Sequence, residues 1–217
     1  MEWMDPLVQA YADQFTSPDD ALLADIQQQT KELHPHAHLM SSPLQGKLLS
    51  FLSNMIAPQF VLELGTFTGY SALCLASGLA EGGELHTIEC REEDATVAQK
   101  NFSKSLRNKQ IHLHLGNAAD WIDKLDKPWD LVFIDADKTA YINYYELLVP
   151  KMKAGAWLIA DNVLFHGQVI QEPLKGKNAK AIHAFNEWVA KDTRTEQILL
   201  PVRDGLMIIK KRPDETN

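Results

Sequence analysis

Two acids and an amine close one apolar run, Leu131-Val-Phe-Ile-Asp135-Ala-Asp137-Lys138, and a second run, Trp157-Leu-Ile-Ala, closes on Asp161-Asn162. A helix-capping role would account for one such carboxylate, but not for two sets at the ends of successive strands. Asp135, Asp161 and Asn162 form an all-oxygen donor set with no sulfur or imidazole, which suits Mg²⁺, Mn²⁺ or Ca²⁺ rather than zinc. Three protein ligands leave coordination positions for a bidentate substrate. Two further acids end apolar segments: Glu63 in Val61-Leu-Glu-Leu, and Glu89 in His86-Thr-Ile-Glu-Cys90, 26 residues later. The second stands where a carboxylate commonly takes both hydroxyls of a ribose, which points to a nucleoside-bearing cofactor. Gly65 and Gly69 bracket the turn after the first segment, and their spacing matches neither G-x-G-x-x-G nor a Walker loop. A phosphate cradle is therefore disfavoured. Glu63 would repel a pyrophosphate and attract a cationic or amino-bearing ligand. Gly116-Asn117-Ala118 is a turn that could lie over an adenine ring, or equally an Asn cap for the next helix.

These residues need a scaffold that brings strand ends together. From residue 60 apolar runs near 60–64, 84–89, 110–115, 130–135 and 155–160 alternate with helical segments near 70–80, 92–107, 117–125 and 138–151. Such alternation predicts a parallel sheet with right-handed crossovers. A helix near 178–190 is followed by strands near 195–200 and 205–210, whose short link, Pro201-Val-Arg-Asp204, predicts an antiparallel pair. Ligands of an open α/β sheet bind beyond the carboxyl ends of its strands, where the acids lie. Residues 1–57 are expected to form N-terminal helices, with Pro6 opening one and Ser17-Pro18-Asp19-Asp20 another, Ser17 as its cap. Ser42-Pro43 opens a third, whose stripe Leu48, Leu49, Leu52, Met55 and Ile56 reads as core. The irregular stretch Phe165–Lys180, with Gly167, Pro173 and Gly176, is a candidate lid.

The 217 residues suit one domain, 45% hydrophobic and 23% charged, and the net charge of −8 argues against a nucleic-acid partner. An acidic start and the lack of a long apolar run give the expectation of a cytoplasmic protein. Cys74 and Cys90 form no C-x-x-C and read as buried reduced thiols. His34, His36 and His38 alternate around Pro35. That spacing lacks the i, i+4 pairing of a helical metal site, so a loop, either solvated or lining the substrate mouth, is the better reading.

Val61-Leu-Glu-Leu-Gly-Thr-Phe-Thr-Gly-Tyr-Ser71, Phe133-Ile-Asp-Ala-Asp-Lys138 and Ala160-Asp-Asn-Val-Leu164 together resemble the cation-dependent O-methyltransferases, including the catechol and caffeoyl-coenzyme A enzymes. The resemblance runs from about residue 18 to about 210. It implies a seven-stranded, mostly parallel Rossmann-like sheet with an antiparallel C-terminal strand and helices on both faces. It also implies S-adenosylmethionine (SAM) as methyl donor, a divalent cation and a homodimer. By position, Glu63, Gly65, Tyr70 and Ser71 would surround the methionine part, Glu89 the ribose and Ala118 the adenine. Asp137 would be a further cofactor contact. Asp135, Asp161 and Asn162 would hold the metal, and Lys138 would be the base. His183 stands where relatives often place Arg, a departure from the family's pattern.

The residues and the resemblance meet in one scheme: a substrate hydroxyl, acidified by the cation, loses its proton to Lys138 and attacks the sulfonium methyl in line. For Lys138 the competing reading is a salt bridge with Asp135 or Asp137. Trp157, Phe165, Trp188 and Tyr141 are aromatic candidates for the pocket wall. The expected acceptor is a small aromatic with two vicinal hydroxyls. Rival readings are a tRNA hydroxyuridine O-methyltransferase, for which Lys175, Lys177 and Lys180 would supply a basic stripe, and a non-catalytic cofactor-binding module.

Overall fold

The computed structural model describes residues 6–213. Seven strands form one sheet: β1 Phe60–Leu64, β2 Glu84–Glu89, β3 Ile111–Leu115, β4 Trp129–Ile134, β5 Met152–Asp161, β6 Thr195–Leu200 and β7 Leu206–Lys211. The spatial order is β3-β2-β1-β4-β5-β7-β6. The first five are parallel, and β7 inserts antiparallel between β5 and β6. The helices are α1 Pro6–Gln14, α2 Ala21–Leu33, α3 Pro43–Ile56, α4 Tyr70–Ala76, α5 Glu92–Phe102, α6 Ala118–Lys124, α7 Tyr141–Leu148 and α8 Lys177–Lys191. No helix among the described residues is long and apolar enough to cross a membrane.

Central strands read as continuous apolar runs because both faces are covered. Leu131, Val132, Phe133 and Ile134 of β4 are all fully buried. Alternate residues serve opposite layers. Leu62, Val132, Ile134 and Leu158 pack with Tyr141, Tyr145, Ile182 and Phe185 of α7 and α8. Val61, Leu131, Phe133 and Ile159 pack with Leu49, Leu75, Ala98 and Phe102 of α3, α4 and α5. The strand order reverses between β1 and β4, so a crevice opens beyond their carboxyl ends, the usual ligand position in such sheets.

Several local expectations need correction. The cap of α2 is Asp20, which accepts from Leu23 N at 2.9 Å, and not Ser17; Pro18 and Asp19 precede the helix. Of the α3 stripe only Leu49 is fully buried, whereas Met55 is 74% exposed. The phase is set by close helix approach rather than by the leucines. The Ser53 hydroxyl donates to Leu75 O at 2.6 Å, and a Cβ at Gly78 would lie 2.2 Å from the Ser53 carbonyl carbon. Cys74 is buried but Cys90 is exposed, just past the end of β2. The helix expected over 138–151 begins with a 3₁₀ turn at Lys138–Ala140, because Asp137 accepts from Thr139 N and ends the strand with a capped turn.

Candidate active site

A cavity of about 1100 Å³ opens at the switch point. Its wall includes Gly65, Tyr70, Ser71, Glu89, Ala118, Asp135, Asp137, Lys138, Asp161 and Asn162, every site residue read from the sequence except Glu63. Glu63 lies beneath the wall, fully buried, accepting from the Thr87 hydroxyl at 2.6 Å while its Oε1 has no well-aligned partner. Burial pushes its carboxyl up to about 8, and hydrogen bonding with Ser71 and Thr87 offsets only part of that.

The turn after β1 is built by glycines for steric reasons. Gly65 has φ +96°, and a Cβ there would sit 2.0 Å from the Asp135 carbonyl oxygen, so the β1 and β4 ends can approach only at a glycine. Phe67 carries the uncommon φ of +50° without being glycine. Its N–H donates to Glu89 Oε2 at 2.7 Å, while Oε1 of the same carboxylate accepts from Cys90 N and Arg91 N. Glu89 thus fastens the β1 turn to the β2 end and still faces the cavity. Tyr70 lines the cavity too, yet its hydroxyl donates to Asp19 Oδ2 at 2.7 Å, so it also anchors the lead into α2. Asn117 caps α6, accepting from Ala119 N at 2.8 Å, and Ala118 follows on the wall.

The acids of β4 and β5 meet at the other end of the cavity. Lys138 Nζ donates to Asp135 Oδ1 at 2.7 Å and to the Tyr141 hydroxyl at 2.8 Å, so the salt-bridge arrangement is the one present. Burial alone would lower the Lys138 pKa, but Asp135, Tyr141 and Asp161 outweigh it and hold the ammonium charged. Tyr141, weighed only as a pocket aromatic, is fully buried and donates to the Ile134 and Asp161 carbonyls at the two strand ends. Asp161 is buried, and that burial followed by repulsion from Asp135 lifts its carboxyl above the usual range. Asn162 has φ +58°, and its Nδ2 donates to Asp204 Oδ2 at 3.2 Å. Its amide oxygen accepts no hydrogen bond among the described residues. Asp137 is exposed and bonds Thr139.

Three residues of the site carried no sequence signal. Gln45, fully buried on α3, donates to Asp161 Oδ2 at 2.6 Å. Arg203 donates to Gln45 Oε1 at 2.8 Å and to Met40 O. Asp204 accepts from Asn162 and from the His166 backbone N–H. Both Arg203 and Asp204 lie in the link read only as a hairpin turn. The candidate lid starts as a 3₁₀ segment, Phe165–Ile170, and Phe165 and His166 reach the cavity. Of the other proposed aromatic wall residues, Trp157 lies away from the cavity under Lys210, and Trp188 is exposed on α8 with its indole N–H on Glu146. His38 lines the mouth, whereas His34 pairs with Asp94 at 2.8 Å and packs edge-on against Phe67. His183 lies 3.9 Å from Glu187 of its own helix.

The O-methyltransferase family profile matches residues 13–212. The chain is 33% identical to a catechol O-methyltransferase of Niastella koreensis over 186 residues, covering 84% of this chain and 83% of that one. It is 31% identical to a caffeoyl-CoA O-methyltransferase of Stellaria longipes, covering 83% and 79%. The O-methyltransferase from Bacillus cereus in complex with SAH superimposes with a TM-score of 0.86 at 29% identity, covering 95% of this chain and 97% of that one. With the motif-bearing strand ends gathered around one cavity and the family matched over nearly its whole length, this chain belongs to the O-methyltransferase family.

Proposed function

We propose that the protein transfers a methyl group from SAM to one hydroxyl of a small catechol-type or caffeoyl-type aromatic, with a divalent cation, Mg²⁺ foremost and Mn²⁺ or Ca²⁺ as alternatives. The observation that carries this reading is the placement of Asp135, Asp161 and Asn162 on the same cavity wall as Glu89 and the glycine turn. The donor set fits a hard cation. Burial and then repulsion from Asp135 lift the Asp161 carboxyl, Lys138, Gln45 and Arg203 offset only part of that, and the Asn162 amide oxygen accepts no hydrogen bond among the described residues. The SAH-bound relative supports the donor, as does Glu89, whose carboxylate is fixed by three backbone N–H groups and faces the cavity. About 1100 Å³ accommodates a nucleoside cofactor beside a small ring.

When bound, the cation acidifies a neighbouring hydroxyl and SAM presents an electrophilic methyl. The chain supplies the rest. Asp135, Asp161 and Asn162 would hold the cation, Gln45 and Arg203 brace Asp161, and Asp204 turns the Asn162 amide. Once Asp135 exchanges its salt bridge for the cation, the Lys138 ammonium would lose its raised proton affinity and give one proton to solvent, and the neutral amine would then take the hydroxyl proton. Phe165 and His166 would cover the ring and exclude water. Glu63, below the wall, would act on the methionine part through Ser71, which interacts with its carboxyl and lines the cavity.

A catechol, its monophenol counterpart and a hydroxyuridine tRNA assayed side by side test the reading. Turnover should be confined to the catechol, vanish on chelation and return with Mg²⁺, the discrimination appearing in kcat/KM. Equal rates on mono- and dihydroxy rings, or full activity after chelation, would refute it; turnover on tRNA alone would transfer the function to RNA. We also propose a homodimer, supported by the exposed apolar side chains Tyr11, Phe15, Phe51 and Met55 on and beside α1 and α3.

A further inference from the structure

Away from the cavity, one group of side chains among the described residues has the composition and spacing of a metal centre: Glu84, His86 and His112, whose ligand-capable atoms all lie within 4.8 Å of one another. The register produces the cluster. His86 is paired with His112 across β2 and β3, and Glu84 stands two residues before His86, so all three project from the same face of the sheet. We propose that this face holds a transition-metal dication of the zinc class, bound by the Glu84 carboxylate, His86 Nε2 and a ring nitrogen of His112.

The ring of His86 is already oriented for this. It is 6% exposed and held edge-on against Trp129, with Nε2 3.2 Å from Glu84 Oε2. Its other nitrogen, Nδ1, is 2.9 Å from His114 Nε2, in rings only 1° from parallel. A ligating imidazole needs a partner on its second nitrogen to fix tautomer and direction, and His114, itself packed on Trp121, occupies that place. With a cation bound, His86 carries its proton on Nδ1 and donates it to His114. Tetrahedral bonds of about 2.1 Å put ligand atoms roughly 3.4 Å apart, so the partly exposed Glu84 and His112 need only side-chain rotation to close on the metal. The bland reading is a polar hydrogen-bonded edge, with Lys127 Nζ, 2.8 Å from Glu84 Oε2, as the resident counter-charge. That lysine must be displaced by a cation, which gives the proposal a signed consequence. Two imidazoles and one carboxylate prefer Zn²⁺, Ni²⁺ or Co²⁺ to Mg²⁺, so the site is chemically separate from the all-oxygen set of the cavity. It would tie the edge strand β3 to β2.

The test is Zn²⁺ titration of the full, metal-stripped chain by calorimetry in excess Mg²⁺, with Co²⁺ absorption to report imidazole ligation. One Zn²⁺ per chain should bind in the wild type and in Asp161→Asn. His112→Ala should weaken binding at least tenfold, Glu84→Gln likewise, and Lys127→Met should tighten it several-fold. Circular dichroism establishes that each variant is folded, and the conservative Glu84→Gln decides the question should His112→Ala not fold. Unchanged affinity in the folded variant, stoichiometry lost in Asp161→Asn, or no Zn²⁺ bound by the wild type would overturn the proposal.

Discussion

Lys138 is paired with the carboxylate that it would have to release before accepting a proton. Its charge state is therefore conditional on what occupies Asp135. Lys138→Met should lower kcat by roughly 10²–10⁴ while leaving SAM affinity within a small factor, measured by steady-state kinetics and calorimetry. Lost cofactor binding would make the lysine a strut. Glu63 titrates under different constraints. Folded, it holds its proton up to about pH 8, whereas unfolded it ionises near its ordinary value of 4.5. The folded state thus binds more protons between those limits, so stability falls as pH rises through that window and levels off above it. Glu63→Gln, neutral at all pH, should flatten the decline in Tm between pH 5 and 8 and recover on the order of a few kcal/mol at the alkaline end. A slope equal to the wild type's would remove Glu63 as its cause. At this scale the acids of the strand ends were legible because carboxylates interrupt apolar runs. Gln45 was not, since one amide in an amphipathic helix looks like any polar position until it meets Asp161, 116 residues away.

The turn between β1 and α4 is a loop fastened from outside itself. Phe67 keeps its left-handed backbone because Glu89 accepts its N–H, so the residue proposed to hold the ribose also holds the turn. Glu89→Ala should weaken SAM binding by about 1–3 kcal/mol in calorimetry and also lower Tm. Unchanged affinity would take Glu89 out of the binding site. Strand positions were readable to within three residues, because burial on both faces writes an uninterrupted apolar signature. Helix phase was less so. The leucine stripe of α3 follows helical spacing, yet the face that packs is set by Gly46 under Tyr70 and by Gly78 against Ser53, small residues that periodicity does not weigh. The early end of α5 at Phe102 likewise follows from a serine-containing turn, Ser103–Ser105, which a helical average over 92–107 blurs.

For the molecule as a whole, the parallel strands and the antiparallel final pair followed from alternation and the short final link, whereas the strand order, which sets where the crevice opens, was not written in either. The apolar outer face of α1 and α3 remains to be covered. If two copies pair through it, light scattering should give twice the 24.4 kDa chain mass, and Phe51→Glu should return it to the monomer value. A monomer at micromolar wild-type concentration would reject the dimer.

The insertion of β7 between β5 and β6 has a consequence for how the protein comes into being. Arg203 and Asp204 reach Gln45, Met40 and Asn162 only when the hairpin has folded back, although all five parallel strands precede residue 162. During synthesis the glycine turn and both acidic strand ends emerge first, but a domain generally folds as a unit. The brace on Asp161 and the turn of Asn162 wait for the hairpin. A nascent chain halted before residue 203 would therefore display the donor atoms without their alignment, and competence would arrive abruptly, with one late hairpin, rather than growing with length.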